Sequence, residues 1–223
     1  TNIQNVHLEG LGSLERLKEE KGELFRKMRR DGTILVNQDD PRVVELAKEY
    51  PGQRISFGPE HPADVMAKEI RLSGAQGTSF TLLLEGEAME IHLPLLGTHF
   101  IPDALGAVAT ACLFGVELAQ IKERREHFHP FPMRMEIVPL AGGATLINDA
   151  YNASPYSTEF ALETLAGAKG KGRAIAVLGD MLELGNFTKE AHEQIGKKVS
   201  DLSIDFLLAL GEEASTVVGA AIR

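Results

Sequence analysis

From residue 174 onward the hydrophobic pattern changes period repeatedly, and this constrains the fold most. Ala174-Ile175-Ala176-Val177-Leu178 is an unbroken apolar run that empties into Gly179-Asp180. Lys189–Val199 then repeats at helical spacing, Phe206–Leu210 is apolar again, and a Gly and a further helical stretch follow. Short apolar runs alternating with helices give a parallel sheet, because parallel strands need a crossover between them. A helix over Ser157–Leu165 precedes the first of these strands, so the C-terminal part reads as a doubly wound α/β arrangement.

Residues 53–95 have another character. Arg54–Phe57, Ala67–Leu72, Thr78–Leu84 and Met89–Leu93 alternate or run apolar with Gly-containing turns between them, which predicts a strand series with antiparallel hairpins. Upstream, Leu14 to Arg29 reads as a helix and Thr33–Asn37 as a strand; Asn37-Gln38-Asp39-Asp40-Pro41 is a turn opening a helix to Tyr50, with Pro at its first position. Gly97–Asp103 punctuates the chain before helices over Ala104–Gly115 and Leu118–His127. Strands at Ile137–Pro139 and Thr145–Ile147 flank Gly142-Gly143, and the domain boundary is expected there, giving domains 1–140 and 141–223.

The 223 residues carry a formal net charge of −9, against general nucleic-acid binding and attachment to an anionic membrane. One cysteine, Cys112, excludes an internal disulfide and suits a reducing compartment. No run approaches the length of a membrane span. The chain opens on Thr1-Asn2-Ile3 rather than Met, and a piece of a longer protein is expected.

Three places could carry chemistry. Leu14, Leu17, Leu24, Phe25 and Met28 form one helical stripe, with Lys21 in its middle and His7 just upstream. Lys21 is either a snorkelling side chain or a buried amine that must be paired, neutralised or modified. Arg134, among apolar neighbours in Pro132-Met133-Arg134-Met135-Glu136, either grips phosphate oxygens or pairs with Glu136 at the surface. Asn148-Asp149-Ala150-Tyr151-Asn152-Ala153-Ser154-Pro155 holds more hydrogen-bonding side chains than a turn needs, and Gly179-Asp180 lies at a strand's carboxyl end, where parallel sheets bind ligands.

The ordered set HLEG-x-GS…K-GE-x-F, N-x-DDP, G-x-H…A, P-MRMEIV, NDAYNASP and VLGDM-x-ELG…H resembles the Mur ligases. The resemblance covers essentially the whole chain. It implies part of a central ATPase domain, with a mixed sheet containing antiparallel strands, followed by part of a Rossmann-like C-terminal domain. The YNA-x-P and GDM-x-ELG strings favour the member that adds D-Ala-D-Ala to a UDP-N-acetylmuramoyl-tripeptide through an acyl phosphate, in peptidoglycan precursor synthesis. By resemblance, His7 and Lys21 belong to a magnesium site, Lys21 as a carbamate. Arg134 meets ATP phosphate and Asp149 the ribose. Tyr151, Asn152 and Asp180 face the amino-acid end. A cytoplasmic monomer is implied.

Two features depart from the family pattern. Where relatives read G-x-H-N-x-x-N-A beside adenine, this chain has Gly97-Thr98-His99-Phe100-Ile101-Pro102-Asp103-Ala104. Phe100 would stack on the base and Asp103 accept from its amine, or nucleotide affinity is lost. The 223 residues also lack a G-x-x-G-K-T/S phosphate loop, so these residues alone are expected to be inactive. The rival readings are a sibling Mur ligase, folylpolyglutamate synthase, or a non-catalytic binding module.

Overall fold

A computed structural model describes residues 2–4, 10, 12–72, 77–125 and 131–222. The chain divides into two compact units, one of Thr1–Ile3 and Leu14–His129, the other of Gln4–Ser13 and Pro130–Arg223.

The first unit runs α1 (Leu14–Lys27), β1 (Thr33–Asn37), α2 (Pro41–Lys48), β2 (Gln53–Phe57), β3 (Val65–Leu72), β4 (Thr78–Leu84), β5 (Glu87–Leu93), α3 (Ile101–Leu113) and α4 (Leu118–Arg125). Its sheet is mixed, ordered β1-β2-β3-β4-β5. β1, β2 and β3 pair in parallel, while β3-β4 and β4-β5 are antiparallel hairpins, as the Gly-separated alternating runs require. Phe57, Val65, Phe80, Leu82 and Ile91 of the sheet form a core with Ile101, Leu105 and Val108 of α3. Gly106 permits this approach, since a Cβ there would lie 3.3 Å from the Phe57 ring. Cys112 packs against the same core, and burial pushes its thiol up, so it remains a thiol.

Asp40 shows why α2 begins where it does. One carboxylate oxygen accepts from the N–H groups of Arg42 and Val43, Pro41 needs no partner, and the other oxygen takes the Ile3 N–H at 2.6 Å.

The expected stripe of α1 is displaced. Leu17 and Gly22 are the buried positions, Leu24 is 65% exposed, and Lys21 is exposed rather than interior. Gly22 is the reason: without a side chain it admits Leu46 of α2, which a Cβ would meet at 2.8 Å. The half-covered lysine is Lys18, whose ammonium pairs with Glu45 at 2.6 Å.

The second unit runs β6 (Glu136–Pro139), β7 (Thr145–Asn148), α5 (Pro155–Ala168), β8 (Ile175–Gly179), α6 (Thr188–Asp201), β9 (Phe206–Leu210) and α7 (Ala214–Ala221). β6 and β7 are an antiparallel hairpin, from Glu136↔Asn148 to Pro139↔Thr145. β8 and β9 pair in parallel across α6, the βαβ unit expected from the alternating pattern. Leu162, Ala176, Met181, Leu184, Ile195, Val199 and Val217 make the core on one face of that sheet. Ile175, Val177, Phe206 and Leu208 point from the other face and are exposed. Gly196 lets α6 and α7 approach closely, since a Cβ there would lie 2.4 Å from the Val217 carbonyl oxygen. The helix before β8 starts at Pro155 rather than Ser157, because Ser154 and Ser157 form a reciprocal capping box.

Candidate functional site

The strongest constellation lies in the second unit, where the Pro132–Glu136 turn meets the loop after β7. Met133 and Met135, flanking Arg134, both hold left-handed backbone, at φ 61° and 50°. Side chains other than Gly rarely adopt this conformation, at a cost on the order of 1 kcal/mol each, so the surroundings must hold it. Four bonds do so. The Met133 N–H donates to Glu136 Oε2 at 3.0 Å, and Asn148 Nδ2 donates to the same oxygen at 3.1 Å. The Met135 N–H donates to Asp149 Oδ1 at 3.0 Å, and the Tyr151 N–H to the Met133 carbonyl at 3.1 Å. The Met135 side chain is buried, which anchors the turn.

The result is a presented cation. The Arg134 guanidinium carbon lies 4.1 Å from the centroid of the Tyr151 ring, within cation–π range. Glu136, offered by sequence as its surface partner, is engaged by Met133 and Asn148 instead. Asp149 is half-buried beside it. Burial pushes its carboxyl up, and the Met135 N–H and the Arg134 charge offset part of that. A planar cation stacked on an aromatic ring next to a carboxylate fits a phosphorylated sugar, so these residues suit a nucleotide.

The remaining residues of this loop cluster divide by role. Asn152 and Tyr151 are exposed. Asp180 turns toward the start of α7, where its Oδ1 accepts the Ala214 N–H at 2.7 Å. Gly211, at φ 127°, makes room for it, since a Cβ there would sit 2.2 Å from the Asp180 carboxylate. Met181 is buried, and its N–H donates at 3.1 Å to Nε2 of His192, which is fully buried. The other ring nitrogen, Nδ1, meets the Thr188 carbonyl oxygen at 2.7 Å. A carbonyl only accepts and an amide N–H only donates, so the proton sits on Nδ1 and Nε2 is bare.

In the first unit, the Lys21 ammonium donates to the Asn2 carbonyl at 2.9 Å. Burial, the physical reason to expect an unusual amine there, is missing. An ammonium is a donor and holds no cation, so Lys21 fits a magnesium site only after carbamylation. His7 lies outside the described residues. His99 and Phe100 form one turn of 3-10 helix leading into α3, their ring centroids 4.0 Å apart and tilted by 41°. Asp103 is exposed in the first turn of α3.

Among the described residues, one group brings three potential metal-ligating atoms within 4.8 Å of one another: Asp39, Glu60 and His61. Asp39 spends its oxygens on that loop, accepting from the Glu60 and His61 N–H groups and lying 2.8 Å from the His61 ring. It is a loop clamp.

The sequence offers Glu136 only as a surface partner for Arg134 and His192 only as the end of the VLGDM-x-ELG…H string, and neither as a group that holds backbone. A carboxylate at the first residue of a strand and a histidine inside a helix have no local signal of the backbone groups they hold.

The Mur ligase middle domain model matches residues 1–111, and the model described as Mur ligase, glutamate ligase domain matches residues 133–223. The UDP-N-acetylmuramoyl-tripeptide--D-alanyl-D-alanine ligase of Bacillus subtilis (strain 168) is 30% identical over 223 residues, covering 100% of this chain and 48% of the relative. A crystal structure of MurF from Acinetobacter baumannii superposes with a TM-score of 0.87 at 28% identity, over 100% of this chain and 48% of that one. MurF ligase of Thermotoga maritima in complex with ADP shares the fold, with a TM-score of 0.85 at 23% identity, over 97% of this chain and 49% of that one. The chain spans about half the length of the curated relatives it matches. With both its middle and its C-terminal domain models matched in order and its fold shared along the whole length, the chain belongs to the Mur ligase family.

Proposed function

We propose that these residues serve an ATP-dependent amide ligase that joins D-Ala-D-Ala to UDP-N-acetylmuramoyl-tripeptide. The observation that carries the reading is the Arg134 turn. Backbone bonds on both sides of Arg134 hold the turn, its guanidinium lies over Tyr151, and the half-buried Asp149 is adjacent. The similarity to ligases named for this reaction supports the substrate pair.

In the proposed reaction the tripeptide carboxylate attacks the γ-phosphorus of ATP and ADP leaves. The amine of D-Ala-D-Ala then attacks the acyl carbon of the acyl phosphate, forming the amide and releasing phosphate. The first step gathers negative charge on phosphoryl oxygens, and a fixed guanidinium stabilises it without reorganising. Arg134 takes that role. Asp149 accepts from ribose hydroxyls, and His99, Phe100 and Asp103 line the adenine. The Phe100 and His99 rings are in contact, their centroids 4.0 Å apart. Tyr151, Asn152 and Asp180 belong to the amino-acid end, Asp180 by fixing the loop through Ala214.

His7 and Lys21 are assigned to magnesium, Lys21 as a carbamate. Magnesium supplies charge neutralisation on the phosphates when bound. A 13C-bicarbonate spectrum tests the modification: a carbamate carbon signal is expected with magnesium present and is lost in Lys21→Ala. The enzyme is proposed as a cytoplasmic monomer. Among the described residues no helix is long and apolar enough to cross a membrane.

Phosphate release measured on the whole protein tests the function. Release that requires both the tripeptide nucleotide and D-Ala-D-Ala is expected, and none from the 223 residues alone. Release with another amine shows a sibling ligase, and nucleotide binding without turnover shows a binding module.

A further inference from the structure

We propose that Glu136 is a positioning residue that sets the Arg134 guanidinium for anionic phosphate, an inference that rests on the nucleotide reading above. One oxygen, Oε2, joins both edges of the turn. It accepts the Met133 N–H at 3.0 Å, immediately before Arg134, and Asn148 Nδ2 at 3.1 Å, immediately before Asp149. Glu136 therefore ties the strand that follows Arg134 to the strand that leads into the ribose-side carboxylate.

The backbone explains why this tie matters. Met133 and Met135 stay in left-handed conformations that neither side chain favours. Without an acceptor for the Met133 N–H, the turn relaxes toward ordinary φ values. The Met133 carbonyl then moves from the Tyr151 N–H, which it receives at 3.1 Å, and Arg134 leaves the Tyr151 ring. Glu136 touches no substrate in this account. It acts by holding Arg134 in one place, which lowers the ordering cost of gripping a phosphate.

Two readouts test this, the first on the 223-residue chain and the second on the whole protein, because these 223 residues carry no G-x-x-G-K-T/S phosphate loop. The first is the Arg134 side-chain proton shift in NMR, moved upfield by the Tyr151 ring and identified by its disappearance in Tyr151→Leu. It is expected to persist in Glu136→Gln, whose carbonyl oxygen still accepts both donors, and to vanish in Glu136→Ala. Where the alanine variant does not fold, Glu136→Asp, one methylene short of both partners, supplies the same loss. The second readout is affinity for inorganic triphosphate. Glu136→Ala or Glu136→Asp is expected to weaken it about tenfold in the wild-type background and less than twofold in an Arg134→Ala background, where the guanidinium is gone. Retention of the upfield shift in both variants overturns the proposal. So does equal weakening in the two backgrounds. If wild type binds no triphosphate, the nucleotide reading fails, and the ring shift still decides whether Glu136 positions Arg134.

Discussion

Replacing His192 with alanine should weaken the second unit more than any surface change. The ring is fully buried and bridges two backbone groups, the Met181 N–H and the Thr188 carbonyl. Thr188 sits at the start of α6, so its carbonyl keeps the helix's own bond after the ring is removed. The Met181 N–H lies in a loop whose side chain is buried and has no such reserve. Leaving one buried donor unpaired costs about 1–3 kcal/mol. Emptying a ring-sized space beside Met181 adds a cavity cost of about 2 kcal/mol. Together these come to about 3–5 kcal/mol, a large part of a typical domain's ~5–15 kcal/mol. Glutamine at 192 can offer an oxygen near the Nε2 position and should recover about half of the loss. The chain has no Trp, so urea unfolding is best followed by far-ultraviolet circular dichroism. Amide exchange at Met181 should quicken by about a hundredfold or more in the alanine variant. A His192→Ala chain within ~1 kcal/mol of wild type, with the Met181 amide still protected, would refute the reasoning.

Other outcomes follow from separate contacts. The folded Asp149 carboxyl titrates above its ordinary value, so its ionised form costs stability, and that cost appears as pH rises from the unfolded pKa, 3.8, through the raised one. Asp149→Asn, which still accepts the Met135 N–H, should match wild type near pH 3 and melt at a higher temperature than wild type at pH 7; no difference at pH 7 contradicts the shift. Gly196→Ala places a Cβ 2.4 Å from the Val217 oxygen and 2.6 Å from the Ala220 Cβ, so overpacking should outweigh the gain in helix propensity and lower stability by about 1–2 kcal/mol in denaturant titration. Lys21→Ala removes an exposed side chain and should change stability by less than ~0.5 kcal/mol; a loss above ~1 kcal/mol would show that the lysine is part of the packing.

The elements of this chain were legible where period and punctuation agree. Thr33–Asn37, Thr78–Leu84 and Phe206–Leu210 are strands at the bounds the apolar runs predict. Helix starts were missed where chemistry rather than period decides them. α3 begins at Ile101, with Pro102 in its first turn, inside a stretch that reads as a break. α5 begins at Pro155 because Ser154 and Ser157 cap it. The stripe of α1 misled at Lys21 because a glycine, Gly22, decides which flank the neighbouring helix can reach.

Of the candidate site, Arg134, Asp149 and Tyr151 could be picked out as residue types in a pattern, but their assembly could not. The left-handed backbone at two methionines has no sequence signature. The carboxylate that supports it stands on a strand, and its role depends on Asn148 across the hairpin.

Arg134 is the proposed holder of the nucleotide phosphates. The direct measurement is titration of ATP into the protein, followed at the Arg134 side-chain Nε–H resonance, with Arg134→Ala measured in parallel by calorimetry. A saturable shift of that resonance and at least tenfold weaker binding by the variant are predicted. Saturable ATP binding that leaves the resonance unmoved, with Arg134→Ala binding as tightly as wild type, would contradict it.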